Sequence, residues 1–410
     1  MDPYFQELFA NRIGGRNYGK TNDIYKFEKI KRAKRTAKAN FPDRELLDFG
    51  IGENDDMAPL PVREALAEEA SKLENRGYAD NGIQEYKDAC AEFMQREYGV
   101  TLDPKSEINH CMGSKTALAM LPAAFINQGD VTIMTVPGYP VAGTHTKYYG
   151  GEVYNLKLEE KNNFFPDLKA IPDTILERAK LLVINYPNSP TGVLATEKFF
   201  EEVIAFAKQH RIVVVHDAAH IVLTYQKKPL SFLQIPEAKD VGVEVHSMSK
   251  GFNMIGWRLG FVAGNAKIVN AFADVKDNCD SGQFIAIQKA AVQALKDESI
   301  PVMVRTKYER RLKKLVATLT SIGFKATMPG GTYFLYCKAP SGIEGGSVFN
   351  SAEEFSQYWI KEKSICTVPW DDAGAYLRFS VTYQAPTEQD EDILMQKLIS
   401  RLKEDRYYWK

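Results

Sequence analysis

The chain has 410 residues, 44% hydrophobic and 26% charged, with 52 basic against 53 acidic side chains and a formal net charge of -1. That balance excludes a disordered or fibrous chain and argues against a general nucleic-acid binder, which needs surplus positive charge. The length suits two domains, and with no run of 18 apolar residues no membrane span is expected.

Met1-Asp2-Pro3-Tyr4-Phe5-Gln6-Glu7 carries no basic and apolar leader, so a cytoplasmic protein is expected. Cys90, Cys111, Cys279, Cys337 and Cys366 have no CxxC spacing. Neither zinc nor a disulfide framework is expected, and most of these thiols read as core fillers. Residues 1–45 are polar and uneven. Arg12-Ile13-Gly14-Gly15 with Tyr18 reads as an extended arm, and Lys29 to Lys38 as a basic helix with a solvated face. Leu47 to Ile51 reads as a short strand, closed by Gly50, Gly52 and Glu53. Apolar residues at three-four spacing predict helices over 62–74 and 83–97, separated by the loop Tyr78-Ala79-Asp80-Asn81-Gly82.

Residues 108–112 predict a strand, followed by Gly113-Ser114-Lys115-Thr116 and a helix from Ala117 to Ile126. Glycine, hydroxyl and lysine at a helix start suit an anion, because free amides and the helix dipole point there. An ordinary cap beside a chance lysine is the alternative. The strand over 131–136 ends in Pro137-Gly138-Tyr139-Pro140. This rigid turn sets Tyr139 over the sheet edge, where it would stack on a flat cofactor or simply fill core or surface. A strand over 152–158, a short helix over 167–178, a strand over 181–186 and a helix over 197–209 follow, with the rigid turn Pro187-Asn188-Ser189-Pro190-Thr191-Gly192 between the last two.

Residues 212–217 are apolar apart from His216 and end in Asp217. Such runs belong to buried parallel strands, and carboxylates at their carboxyl ends line the crevice where ligands bind. A buried carboxylate there needs a partner, and a pyridinium N–H would supply one. Next, Val243 to Val245 runs into Ser247, Ser249 and Lys250, with Arg258 eight residues after the lysine and a second strand from Leu259 to Ala263. Two hydroxyls, an amine and a guanidinium between two strands suit a phosphate held near a carbonyl carbon. A nucleophilic lysine has to be positioned and partly desolvated, and arginine grips phosphate through two parallel bonds. A surface lysine and arginine on a glycine-rich loop is the alternative.

Asp280-Ser281-Gly282-Gln283-Phe284 precedes an alanine-rich helix within 274–292, and a long basic amphipathic helix spans 303–320. Pro329-Gly330-Gly331-Thr332 leads into the aromatic strand Tyr333 to Tyr336. Phe355 to Ile360 lies in a helix, and 365–368 and 376–380 are short strands. Arg378, in the second of these, sits amid apolar residues and must be paired, by a substrate carboxylate or by an internal one. Thr387 with Asp390 resembles a capping box opening the last helix. The expected organisation is an arm with part of a small domain over 1–48, a large α/β domain over 49–290, and a smaller α+β domain over 291–410.

On Ser247-x-Ser249-Lys250, Arg258 and Asp217 together, the sequence resembles, over nearly its whole length, the fold-type I pyridoxal-phosphate aminotransferases of class I/II. The resemblance implies a large domain with a mixed, mostly parallel sheet flanked by helices, plus a smaller α+β domain. It implies pyridoxal 5'-phosphate as cofactor, with Lys250 as its covalent attachment point and later the proton carrier, and Asp217 on the pyridine nitrogen. Ser114, Lys115, Ser247 and Arg258 would surround the phosphate, with Gly113 and Ser249 beside them. Tyr139 would stack on the ring. Tyr78 would reach across a homodimer interface to the neighbour's phosphate, so that active sites are shared. Arg378 would grip the substrate α-carboxylate, with Gly52 beside it.

Two positions depart from the family. Ser189-Pro190-Thr191-Gly192 stands where relatives carry Asn-Pro-Thr-Gly, and Asp217-Ala218-Ala219-His220 where they carry Asp-x-Ala-Tyr. Both replaced residues normally donate to the cofactor's ring oxygen. Ser189 is too short to copy an asparagine without a backbone shift or a water. His220 can still donate and can switch its charge near neutral pH, with a simple core histidine as the alternative. Trp370-Asp371-Asp372-Ala373-Gly374 replaces a glycine- and phenylalanine-containing loop.

Within the family the likeness is to the LL-diaminopimelate aminotransferase group, carried by Gly113-Ser114-Lys115, by Asn253-Met254-x-Gly256-Trp257-Arg258-x-Gly260-Phe261, by Asp280 to Phe284 and by Pro329 to Thr332. It implies transfer from LL-diaminopimelate to 2-oxoglutarate in lysine biosynthesis, with no metal, nucleic-acid or membrane partner. Asp80, with Asn81 and Tyr25, is the expected reader of the substrate's distal ammonium, with Asp371 and Asp372 as alternatives and Ser189 also on the substrate side. An aspartate, alanine or aromatic aminotransferase remains an alternative. The two departures keep a carbon–sulfur lyase or decarboxylase open. A non-catalytic regulatory protein of the same fold is the remaining reading, against which intact Lys250, Asp217 and Arg258 argue.

Overall fold

The structure, a computed structural model, describes residues 3–20 and 26–410; Tyr25 lies outside them. Its centre is a seven-stranded sheet: β1 (Ile108–Cys111), β2 (Val131–Val136), β3 (Glu152–Lys157), β4 (Ala179–Asn185), β5 (Val213–Asp217), β6 (Gly242–Ser247) and β7 (Gly260–Gly264). The spatial order is β1-β7-β6-β5-β4-β2-β3. Neighbours from β3 to β6 are parallel, and β7 alone runs the other way, antiparallel to both β6 and β1.

The strands are near-continuous apolar runs because both faces of the sheet are covered. β6 is buried along its whole length and β4 at all but one residue. Alternate side chains enter different cores, as the two-residue period of a strand dictates. Leu182, Ile184 and Val214 join one cluster, Leu181, Val183 and Val215 the other. Helix Ile285–Lys296 packs against helices Leu60–Ala70 and Gln84–Tyr98, and helix Ser114–Phe125 packs against Val141–Tyr148 and Ala266–Asp277.

A further core gathers helices Ser299–Ser321 and Glu388–Leu402 around the antiparallel strands Phe334–Lys338, Tyr376–Ser380 and Val368–Trp370, and takes in Leu47 and Phe49 from the N-terminal part. Arg311 is fully buried within it. Its guanidinium donates to the Glu391 carboxylate and to the carbonyls of Val381, Tyr383 and Ala385, and pairs with Asp55 at 3.1 Å. A buried guanidinium satisfied on every side of its fork fixes the elements that it bridges.

Local chemistry explains where the elements depart from the sequence expectations. Residues 11–17 form two short 3-10 turns rather than an extended arm, because Gly14 takes a left-handed conformation and the Gln6 amide donates to the carbonyls of Arg16 and Tyr18. The helix expected over 167–178 is broken by Pro172 into the turn Leu168–Ala170 and the single helical turn Asp173–Leu176. The strand expected over 47–51 stops at Asp48, whose carboxylate accepts the Gly50 amide. Helices Val141–Tyr148 and Ala266–Asp277 were not anticipated, although Asn265 is a sequence-visible cap whose side chain accepts the amides of Lys267 and Ile268. The Thr387–Asp390 capping box is present. The basic helix, Lys26–Asn40, buries Ile30, Ala33 and Ala37 against Ile360, Cys366 and Val368 and leaves most of its cations outside.

Candidate active site

Strand direction gathers the chemistry at one edge of the sheet. β1, β4, β5 and β6 end at Cys111, Asn185, Asp217 and Ser247, and the register aligns Asn185 with Asp217, Asp217 with Val245, and Ser247 and Cys111 with Gly260 at the start of β7. The residues just beyond these ends are Gly113 and Ser114, Ser189, His220 and Lys250, with Arg258 just before β7. Carboxyl ends of parallel strands are where open α/β sheets bind ligands.

Lys250 lies in the helical turn Met248–Gly251. Its Nζ donates to the Gly52 carbonyl at 3.1 Å and lies 5.4 Å from the centre of the Tyr333 ring, and the Tyr333 hydroxyl donates to the same carbonyl at 2.6 Å. Burial, reinforced by the Arg258 and Arg378 guanidiniums and opposed by Glu53 and Asp217, lowers the lysine to about 8 from the ordinary 10.5. A large fraction of Lys250 is therefore neutral amine at mildly alkaline pH, where an ordinary lysine stays charged. Lysine-directed acetylation of this side chain in the free protein should rise with pH with a midpoint near 8; a midpoint near 10.5 would contradict this environment.

Asp217 is 6% exposed. Oδ1 accepts the Ala219 amide at 3.1 Å, and Oδ2 has no protein partner among the described residues. Burial raises its pKa, against the Ala219 hydrogen bond and the positive charge of Lys250. The Asn185 amide group ties this strand end to the next turn: Nδ2 donates to the Asp217 carbonyl and Oδ1 accepts the Ser189 amide, each at 2.8 Å.

Ser247 caps its helical turn by accepting the Ser249 amide, and Ser249 Oγ accepts from Arg258 Nη1 at 3.3 Å. Arg258 has φ +54°, a left-handed conformation uncommon outside glycine. Its guanidinium lies against Gly113, where any Cβ would collide with Nη2. The 12-residue helix Ser114–Phe125 starts there, with Lys115 exposed in its first turn. Backbone donors, two hydroxyls and a guanidinium thus share one corner suited to a phosphate.

Arg378 is 8% exposed and forms no ion pair among the described residues. Nη2 donates to the Gly50 carbonyl at 3.2 Å, the guanidinium stacks 4.2 Å from the Phe334 ring centre, and Nε has no partner. Of the two partners the sequence allowed, the internal carboxylate is absent among the described residues. His220 corrects another expectation. It is 6% exposed, its Nδ1 is unpartnered, and it packs edge-on against Tyr333 and Phe334. Burial beside Lys250 and Arg378 lowers its pKa well below 6.5, so it stays neutral instead of switching near neutral pH. Imidazole NMR of His220 should show the neutral form persisting as the pH falls through 6.5; a midpoint there would refute this assignment.

A cleft of about 490 Å³ opens at this edge, walled by Lys115, Tyr139, Ser189 and Arg378 together with Trp370 and Asp372 from beyond the central sheet. Lys250 and Asp217 do not line it. Tyr78 is 85% exposed. Asp80 is exposed, and its carbonyl accepts from the buried Lys276 ammonium. Asn81 is committed to Asp277 and Asn109. The Tyr78–Gly82 loop thus contributes no hydrogen bond to Lys250, Asp217 or Arg378 of its own chain. Asp371 spends both carboxylate oxygens on the amides of Ala352 and Glu353.

Sequence reasoning missed Asn54, Asn185 and the placement of Tyr333. Asn54 Nδ2 donates to the Lys250 carbonyl at 2.8 Å, and its neighbour Asp55 is held by Arg311 and Lys307. The available signal was a polar residue directly after a glycine-closed strand.

A family model described as aminotransferase class I and II matches residues 44–398. The LL-diaminopimelate aminotransferase of Methanocaldococcus jannaschii is 57% identical over 411 residues, covering 98% of each chain. That of Methanococcus maripaludis is 55% identical, over 98% of this chain and 99% of its own. Among solved structures, substrate-bound BacF from Bacillus subtilis matches with a TM-score of 0.87 and 30% identity, over 98% of this chain and 99% of that one.

Proposed function

The chain belongs to the class I and II aminotransferases, pyridoxal-phosphate enzymes, and on that premise we propose that it transfers the amino group of LL-diaminopimelate to 2-oxoglutarate, as a cytoplasmic homodimer. The near-full-length likeness to the two archaeal LL-diaminopimelate aminotransferases supports the substrate. The observation that carries the site is Arg378, a buried guanidinium with no carboxylate of its own on the wall of a cleft.

The residues fit a phosphorylated pyridine aldehyde. Asp217 is a buried carboxylate with one oxygen unpartnered, His220 has an orphaned ring nitrogen, and Gly113, at φ +78°, brings its backbone against the Arg258 guanidinium. When bound, the cofactor supplies a carbonyl for the amino group and a protonated ring that takes up the electron pair left at the α-carbon. Ser114, Ser247, Ser249 and Arg258 would hold the phosphate, with Lys115 at the same helix start. Asp217 would keep the proton on the ring nitrogen. Tyr139 would stack on the ring, and His220 and Ser189 would serve its oxygen. Arg378 grips the α-carboxylate, with Gly52 beside it, and so aims the α-proton at the amine. Lys250 would act only when neutral, as the amine that holds the cofactor's carbonyl and as the base that takes up the substrate's α-proton.

Tyr78 serves the neighbouring subunit's phosphate, a role consistent with its exposure and with its lack of a hydrogen bond to its own chain's catalytic groups. Mixing Lys250→Ala subunits with Tyr78→Phe subunits should restore activity above that of either parent, since one hybrid site carries neither change. A fully active monomer in solution would refute shared sites.

The substrate is tested by incubating the holoenzyme with LL-diaminopimelate and 2-oxoglutarate and measuring glutamate. Vigorous turnover of aromatic or simple dicarboxylic amino acids, with none of diaminopimelate, would defeat the substrate while leaving the reaction class intact.

A further inference from the structure

Arg378 and Asp372 both line the cleft, and they differ in sign and in surroundings. Arg378 is buried, with an unpartnered Nε. Asp372 is exposed, the one acidic side chain lining the cleft among the described residues, with Lys115 and Lys147 as the other charged groups there. It makes no hydrogen bond or ion pair among the described residues.

The loop that carries Asp372 is held on both sides. Asp371 caps helix Ala352–Tyr358 with both carboxylate oxygens. Gly374, at φ +109°, lies where a Cβ would strike the Tyr376 ring, and Tyr376 stacks on Tyr336 at 4.5 Å. Asp372 and Gly374 form an isolated backbone bridge across this turn. The backbone that carries the Asp372 carboxylate is therefore fixed, so only the side chain's own freedom is lost on binding.

We propose that Asp372 is the specificity-determining residue of the cleft, binding the distal ammonium of a diamino dicarboxylic acid whose α-carboxylate is held by Arg378. The inference rests on the substrate reading above and names the group that enforces it. Three cations around a cleft favour dicarboxylates and repel a second ammonium unless a carboxylate stands among them. Asp372 reverses that preference locally. Asp371 is unsuited to the task because its oxygens are spent on the helix cap. Asp80 does not line its own chain's cleft and would have to act from a second subunit.

The measurement is the ratio of kcat/KM for LL-diaminopimelate to kcat/KM for glutamate, taken on holoenzyme. Asp372→Asn should lower the ratio about tenfold or more, mainly through the KM for diaminopimelate, which is the scale of one lost charge-assisted hydrogen bond. Asp372→Glu should recover part of the loss, and thermal melting of both variants checks that they are folded. A ratio within about twofold of wild type in Asp372→Asn overturns the inference alone. So does a loss that appears in Asp80→Asn and not in Asp372→Asn. Wild-type enzyme that uses glutamate but not diaminopimelate overturns the substrate reading and this inference with it.

Discussion

Lys250→Ala should lower turnover by about 10⁴-fold or more, the scale of losing a positioned acid–base group that is also the nucleophile. The loss belongs to kcat, because the side chain that moves the proton is gone while the phosphate corner of Ser247, Ser249, Arg258 and Gly113 is untouched. Pyridoxal phosphate should still bind, reversibly and without the visible band of the lysine-bound cofactor. Residual transamination near the wild-type rate would remove Lys250 from the mechanism. Lys250→Arg is a sharper variant of the same experiment. Arginine keeps the positive charge and much of the bulk but cannot lose its proton, so it should be as inactive as alanine. Activity retained by arginine would mean that charge, rather than a neutral amine, is what the site requires. The environment argues otherwise, since burial and two guanidiniums lower Lys250 to about 8.

Much of this site was legible because its residues follow strand ends, and strand ends are legible. Continuous apolar runs locate β4 and β5, and the first polar or rigid groups after them, Asp217 and the Pro187 to Gly192 turn, are the ones the sheet delivers to one edge. Which partners these groups have was not legible, because pairing is a property of packing. Arg378 and Arg311 read alike in sequence, each a cation near apolar residues. In the structure, Arg311 is saturated by Glu391, Asp55 and three carbonyls, whereas Arg378 keeps an unpartnered Nε on a cleft wall. His220 misled for the same reason: an ordinary histidine titrates near neutrality, and only the burial beside Lys250 and Arg378 shows that this one does not. Helix Val141–Tyr148 escaped notice because Val-Ala-Gly-Thr-His-Thr-Lys-Tyr carries two threonines and a glycine and no clear apolar stripe.

Asp217→Asn separates the charge of this residue from its shape. The amide oxygen can still accept from Ala219, so the turn before His220 should survive, but no anion faces the ring nitrogen. Removing one partner of a buried ion pair costs about 3–5 kcal/mol, so kcat should fall roughly 10²- to 10⁴-fold. Stability of the free protein should move the other way. Burial raises the carboxyl pKa of Asp217 in the fold. A carboxyl that binds its proton more tightly when folded makes the fold less stable as pH rises from the unfolded pKa through the folded one, and has no effect below both. Asparagine carries no such penalty. Cofactor-free Asp217→Asn should therefore melt at or above the wild-type temperature at neutral pH, and the difference should vanish at acid pH. With pyridoxal phosphate bound, the order should reverse, because the wild-type carboxylate then has its cationic partner. A variant that loses stability both with and without cofactor would mean that Asp217 is a structural carboxylate, and near-wild-type kcat would mean that the ring nitrogen does not need it.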